Sequence, residues 1–210
     1  MIRILIADDH AIVRRGLKQL LLEQYPFAQI AEASNVEELV NAVVEQKEWD
    51  VVICDMNMPG RSGLDAIMQI KEIAPAVPVL IMSMYPEDQY ALRVLKSGAS
   101  GYLTKETIHD EIGKAIELVT KGKRYITHSL AEKLAESVNQ DSGKPLHEVL
   151  SDREFDVFKL LASGKSVSEI AHQLSLSSTT VSTYRSRIME KMKMKSNAEL
   201  ARYAIETKLI

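Results

Sequence analysis

Five side chains in this sequence could do chemistry together. Asp8 and Asp9 stand side by side, a third acid is Asp55, a hydroxyl is Ser83 and a lysine is Lys105. Each follows or ends a short apolar run: RILIA before Asp8, VVIC before Asp55, VLIM before Ser83 and GYLT before Lys105. Three carboxylates held close repel one another and stay ionised together only if a cation neutralises them. An all-oxygen set suits a hard ion such as Mg2+ or Mn2+ that keeps several waters. A carboxylate facing that ion, flanked by a hydroxyl and an ammonium, suits a transferring phosphoryl group, whose transition state spreads negative charge over its equatorial oxygens. Lys105 would bind one oxygen, Ser83 would donate to another, and Asp55 would be the nucleophile. Each acid alone has an ordinary reading as a turn former or a helix cap. Five residues at matched strand ends are much harder to explain that way.

The elements that must position them are legible from periodicity. Strand patterns at 3–7, 29–33, 51–54, 77–82 and 101–103 alternate with helical spacing at 11–24, 36–45, 64–72, 89–97 and 108–122. The first helix reads through Ile12, Leu17, Leu20 and Leu21, the third through Leu64, Ile67, Met68 and Ile70. Five βα units with continuous apolar strands predict a doubly wound parallel sheet covered on both faces. In such a sheet, ligands bind beyond the carboxyl ends of the strands, where all five residues lie.

The pattern then changes. Residues 127–137 read as helical, and the polar stretch 139–145 as a linker. After Leu150 no strand pattern remains. Helical spacing at 151–162, 167–174, 179–191 and 198–206 predicts a small all-α four-helix domain. Ser151 with Glu154, and Ser166 with Glu169, read as capping boxes. The third and second of these helices, joined by a tight turn at 175–178, have helix-turn-helix spacing, with Val181, Ile188 and Met192 inward. The outer face carries Thr180, Ser182, Thr183, Arg185, Ser186 and Arg187. Between 175 and 195, five Lys/Arg residues (Arg185, Arg187, Lys191, Lys193, Lys195) face one acid, Glu190, in a chain of net charge −3. That cluster suggests a polyanionic partner; an ordinary solvated helical hairpin is the alternative. Leu200, Tyr203 and Ala204 on the last helix read as exposed apolar side chains, although in a monomer they could complete the core.

Composition narrows the classes. At 46% hydrophobic and 26% charged the chain reads as globular. No apolar run reaches the roughly 20 residues of a membrane span. The N-terminus does not resemble a signal peptide, and the single cysteine, Cys54, reads as a small buried strand residue. The cytoplasm is the expected compartment, with no membrane partner.

The segments IADDH, ICDMNMPGRSGLD, IMSM and GYLTK resemble the signature segments of two-component response-regulator receivers. The segment from Leu150 to Ala204 resembles the LuxR-type DNA-binding domain. Together they resemble the NarL/FixJ family from end to end. The resemblance implies a flavodoxin-like receiver over 1–125, a linker over 126–147 with a helical first part, and a helix-turn-helix domain over 148–210. It implies that Asp55 is phosphorylated by a sensor histidine kinase, and that Asp8, Asp9, Asp55 and the Asn57 carbonyl hold the metal. Ser83, Lys105 and Tyr102 become the switch, with the Tyr102 ring turning inward on activation, and Asn57 and Tyr85 tune phosphate lifetime. For double-stranded DNA it implies base-facing Ser182, Thr183 and Ser186, and phosphate contacts from Lys165, Thr180, Arg185, Arg187 and Lys191. Leu200, Tyr203 and Ala204 would form the contact of a homodimer on DNA. One departure is Glu106, where many receivers have proline in a cis bond. The expected protein is a transcription regulator rather than a dedicated enzyme. A metal-dependent phosphatase would need a second acid/base group where Asn57 stands. A DNA-binding protein with a degenerate receiver would not need the full acid, hydroxyl and lysine set.

Overall fold

The computed structural model describes residues 1–46, 48–58, 63–132, 145–207 and 209–210. The expected turn residues Pro59 and Gly60, the end of the helix expected at 127–137, and most of the polar stretch 139–145 lie outside them. The chain divides into two compact units, Met1–Gln140 and Asp141–Ile210.

In the first unit, β1 (Arg3–Ala7), β2 (Gln29–Ala33), β3 (Val51–Asp55), β4 (Val79–Ser83) and β5 (Gly101–Thr104) alternate with α1 (Ala11–Gln24), α2 (Val36–Glu45), α3 (Gly63–Ile73), α4 (Glu87–Lys96) and α5 (Ile108–Thr120). All neighbouring strands pair in parallel, in the order β2-β1-β3-β4-β5. β3 and β4 are buried at every position, because helices cover both faces of a parallel sheet. The order reverses between β1 and β3, and this switch point opens a crevice at their carboxyl ends. Register then decides what meets there: Ala7 lies beside Cys54, Asp55 beside Met82 and Ser83 beside Thr104.

Three local readings shift. β4 begins at Val79, not Val77: proline has no N–H for the ladder, and Pro78 only accepts, from the Val52 amide at 2.9 Å. α4 begins two residues early, at Glu87, with Pro86 as its N-cap. Ile12 and Met68 have helical spacing yet are 82% and 50% exposed, so the apolar stripes of α1 and α3 are narrower than their sequences suggest. Gly98 ends α4 as expected, at φ +101°.

The first part of the expected linker is built onto this unit. Tyr125 bridges Gly101 in parallel, a helical turn follows at 128–132, and Leu130 is buried.

In the second unit, a 3-10 turn (Leu146–Val149) precedes α6 (Asp152–Ala162), α7 (Val167–Gln173), α8 (Ser178–Met192) and α9 (Asn197–Glu206). Both capping boxes form as expected. α8 ends at Lys193 in the left-handed conformation, φ 55°. Phe155, Phe158, Val181, Ile188, Leu200 and Ala204 are fully buried and make the core. Among the described residues no helix is long and apolar enough to cross a membrane.

Ile53, fully buried at the centre of the sheet core, supplies a direct test of this packing. Ile53→Ala should destabilise the protein by about 2–5 kcal/mol, read as a lowered urea midpoint in circular dichroism.

Candidate phosphoacceptor site and nucleic-acid interface

The sheet brings the five sequence-predicted residues to one edge. The Lys105 ammonium lies 2.8 Å from Asp8 Oδ2 and 2.8 Å from Asp55 Oδ1. Its partners are 97 and 50 residues away in the chain, and both carboxylates are almost fully buried. The other Asp55 oxygen accepts the Asn57 amide at 3.1 Å, and Asp8 Oδ1 accepts the His10 amide at 2.7 Å. The Lys105 backbone is pinned as well, its amide donating to the Ser83 carbonyl at 2.7 Å. There is no cis peptide among the described residues, so Glu106 follows a trans bond.

Burial holds the Asp55 pKa above the usual carboxylate range; the hydrogen bond and charge of Lys105 pull against it, and the Asp8 charge adds to it. Burial works to lower the Lys105 pKa, but its bonds to Asp55 and Asp8 prevail and raise it. A buried carboxyl with a raised pKa beside a specific cationic partner is the kind of group found at functional sites. Cys54 is inert: burial, with Asp55 and Asp8 nearby, pushes its thiol far up.

The residues fit a hard cation. Asp8, Asp9 and His10 each offer a ligand atom within 4.8 Å of the others. Asp9 Oδ1 is buried and accepts no hydrogen bond; His10 Nδ1 lies 2.8 Å away without the alignment for one. An orphaned buried carboxylate oxygen is what an ion would satisfy.

Three contributors were not read from the sequence. His10 lies against both acids. Arg14, one turn into α1, donates to the Asp8 carbonyl at 2.7 Å. Gly63 packs on β3 so tightly that a Cβ would sit 2.6 Å from the Asp55 carbonyl oxygen. Only the Gly-rich run after Met58 hinted at the last.

Ser83 and Tyr102 both bond the backbone of Tyr85. The Tyr85 amide donates to Ser83 Oγ at 3.1 Å, and the Tyr102 hydroxyl donates to the Tyr85 carbonyl at 2.8 Å. Tyr102 is 2% exposed, so its ring is already inward. Tyr85 stacks on Tyr90, centroids 4.7 Å apart.

In the second unit, Ser182, Thr183, Ser186 and Arg187 are exposed on α8 as expected. The Thr183 and Ser186 hydroxyls donate back to the carbonyls of Thr179 and Ser182 at 3.0 and 3.2 Å. Thr180 shares a hydrogen bond with the N-cap Ser177. Arg185 Nε donates to Asn197 Oδ1 at 2.9 Å, and Lys165 pairs with Gln173.

One expectation is corrected. Leu200 and Ala204 are fully buried, because their spacing of four faces them onto α6; Tyr203 is half-buried, with its hydroxyl 2.9 Å from His147 Nδ1. Leu200 and Ala204 therefore complete their own core and are not available to a second copy. The exposed large apolar residue of α9 is Ile205, at 63%. Lys191, expected on DNA phosphate, has its ammonium 2.6 Å from Glu154 Oε2, joining α8 to the capping box of α6. Burial works to raise the Glu154 pKa, but its bonds to Lys191 and Ser151 prevail and lower it.

A depressed carboxyl pKa contributes stability above the unfolded value of 4.5 that is lost as pH falls through the folded one. Lys191→Met should thus cost about 1–3 kcal/mol, the cost of leaving a buried group without its partner. It should also move acid unfolding of the second unit to higher pH. In DNA titrations it should leave the salt slope unchanged; a slope reduced by about one would restore the phosphate role.

Comparison with known proteins agrees with these geometries. The family described as "Response regulator receiver domain" matches residues 4–117, and "Bacterial regulatory proteins, luxR family" matches residues 148–204. The oxygen regulatory protein NreC of Staphylococcus aureus is 36% identical over 215 residues, covering 99% of each chain. The RcsB response regulator of Salmonella typhimurium is 27% identical, covering 97% of this chain and 98% of that one at a TM-score of 0.60. An RcsB–DNA complex is 28% identical, covering 96% of both chains at 0.58. With an acid-and-lysine site on its first unit, a helix-turn-helix on its second and both families matched in that order, the chain belongs to the NarL/FixJ response regulators, two-component transcription regulators that bind DNA.

Proposed function

We propose that Asp55 is the phosphoacceptor of this regulator and that a sensor histidine kinase is its donor. The observation that carries this reading is the Lys105 ammonium held 2.8 Å from both Asp8 and Asp55. The phosphoryl group leaves a kinase histidine: its P–N bond breaks as the P–O bond to Asp55 forms, and the departing imidazole takes a proton from water. Mg2+, or Mn2+, held by Asp8, Asp9, Asp55 and the carbonyl of Asn57, would neutralise the carboxylates and the phosphoryl oxygens. Lys105 then transfers part of its pairing from the Asp55 carboxylate to a phosphoryl oxygen. Asn57 and Tyr85, two residues beyond Asp55 and Ser83, are the positions that set how long the phosphoryl group lasts. No second acid stands at Asn57 to drive turnover, which favours a switch over a phosphatase.

Ser83 Oγ accepts the Tyr85 amide; a Ser83 that turns to donate to a phosphoryl oxygen gives that bond up. The switch is therefore an exchange of hydrogen bonds beside a Tyr102 side chain that is already inward.

At the output, α8 enters the major groove of double-stranded DNA. Ser182, Thr183 and Ser186 face base edges, Arg187 is the phosphate contact, and Thr180, Lys165 and the remaining N–H groups of Arg185 flank it. Lys191 positions the helix. Two copies bind two half-sites related by a two-fold axis, with 126–147 as the linker.

Incubation with acetyl phosphate and Mg2+ tests the site: Asp55→Asn should take up no phosphoryl group and keep its fold, and uptake at the wild-type level would place the acceptor elsewhere. Arg187→Ala should weaken binding to all duplexes alike and reduce the salt slope by about one. A loss confined to one base position would identify a base contact instead.

A further inference from the structure

Tyr85, whose amide the Ser83 side chain holds, lies two residues from a contact that the switch itself does not use. Tyr85 is followed by Pro86, the N-cap of α4, and Glu87, its first residue. The Glu87 carboxylate accepts a short hydrogen bond from the hydroxyl of Thr127, 40 residues on. Thr127 begins the helical turn at 128–132, its Oγ1 accepting the Leu130 amide at 3.2 Å and its carbonyl the Ala131 amide at 3.0 Å. Just before it, the Tyr125 amide donates to the Ser100 carbonyl at 2.8 Å, and the Tyr125 ring is buried. Gly101 makes this approach possible, since a Cβ there would stand 2.8 Å from Tyr125 Cβ and 3.0 Å from its carbonyl oxygen. The chain leaving the first unit is thus fixed at two places. Tyr125 is tied to a strand end, away from the phosphoacceptor. Thr127 is tied to the helix whose N-terminus the Ser83 loop carries.

We propose that the Glu87–Thr127 hydrogen bond is the latch through which the state of Asp55 reaches the linker. The proposal rests on the reading of Asp55 as phosphoacceptor. Ser83 Oγ accepts the Tyr85 amide, so a Ser83 that turns to a phosphoryl oxygen releases the loop at Tyr85. Pro86 is stiff at φ and passes that displacement to Glu87. Thr127 then loses its acceptor or moves with it, while Tyr125 stays as the fixed pivot. The bistable element is the Ser83 side chain, turned either to the Tyr85 amide or to the phosphoryl group, which is the kind of element energetic coupling requires.

The test is hydrogen–deuterium exchange of the full chain, with and without acetyl phosphate and Mg2+, with phosphoryl uptake measured on the same samples. Phosphorylation transfers the phosphoryl group from acetate oxygen to Asp55 oxygen and releases acetate. In the wild type it should change exchange of amides 126–132 several-fold. Glu87→Ala and Thr127→Val should abolish that response at undiminished uptake. Thr127→Ser, which keeps the hydroxyl, should retain it. Glu87→Ala matters because Thr127→Val also removes a helix cap. The double variant should respond no differently from either single one, since both act through one contact. Full uptake with exchange at 126–132 unchanged in the wild type, or a full response in Glu87→Ala, would overturn the latch alone. No uptake by the wild type would overturn the reading of Asp55 and the latch with it.

Discussion

One ammonium between two buried carboxylates organises the first unit. Lys105 reaches Asp8 and Asp55 across the sheet, from the strand end two places along from β3. Leaving a buried carboxylate without its partner is costly, so the three strand ends must stay in register for the fold to tolerate the site. The fold in turn supplies the register through continuous apolar strands that have no other way to pair. The site is demanding and the sheet is stiff, and each is the condition of the other. Gly63 and Arg14 belong to the same constraint: one lets α3 close against the Asp55 backbone, the other ties down the Asp8 carbonyl.

A switch driven from Asp55, as proposed, would have little moving mass. Tyr102 is already buried and Ser83 is already engaged, so a new charge at Asp55 would have only hydrogen bonds to redistribute. Small rearrangements of this kind are amplified when a neighbouring helix end is carried by the loop that changes. Here that helix is α4, and the chain leaving the unit touches its first residue.

The second unit solves a different problem, which is to present a helix face rigidly to a charged surface. Its basic side chains are divided between presenting and holding. Arg187 is exposed on α8, whereas Lys191 is bound to Glu154 and Arg185 to Asn197. Composition counts all three as positive charge toward a polyanion. The structure adds that two of the three, Lys191 and Arg185, also tie their helix to the rest of the unit.

The sequence by itself determined what depends on local pattern. Alternating strand and helix periods announced the doubly wound sheet, and the rule that strand ends converge placed Asp8, Asp9, Asp55, Ser83 and Lys105 at one edge. Ser151 with Glu154, and Ser166 with Glu169, were legible because a capping box lies within four residues. Tertiary structure alone decided questions of facing. Ile12 has the spacing of a core residue and is exposed, while Leu200 and Ala204 look like an open apolar face and are sealed. The same holds for Lys191, whose partner lies 37 residues away, and for Thr127, whose acceptor lies 40 away. Periodicity states which residues share a face; what covers that face is set by other parts of the chain, and only the packed structure brings them together.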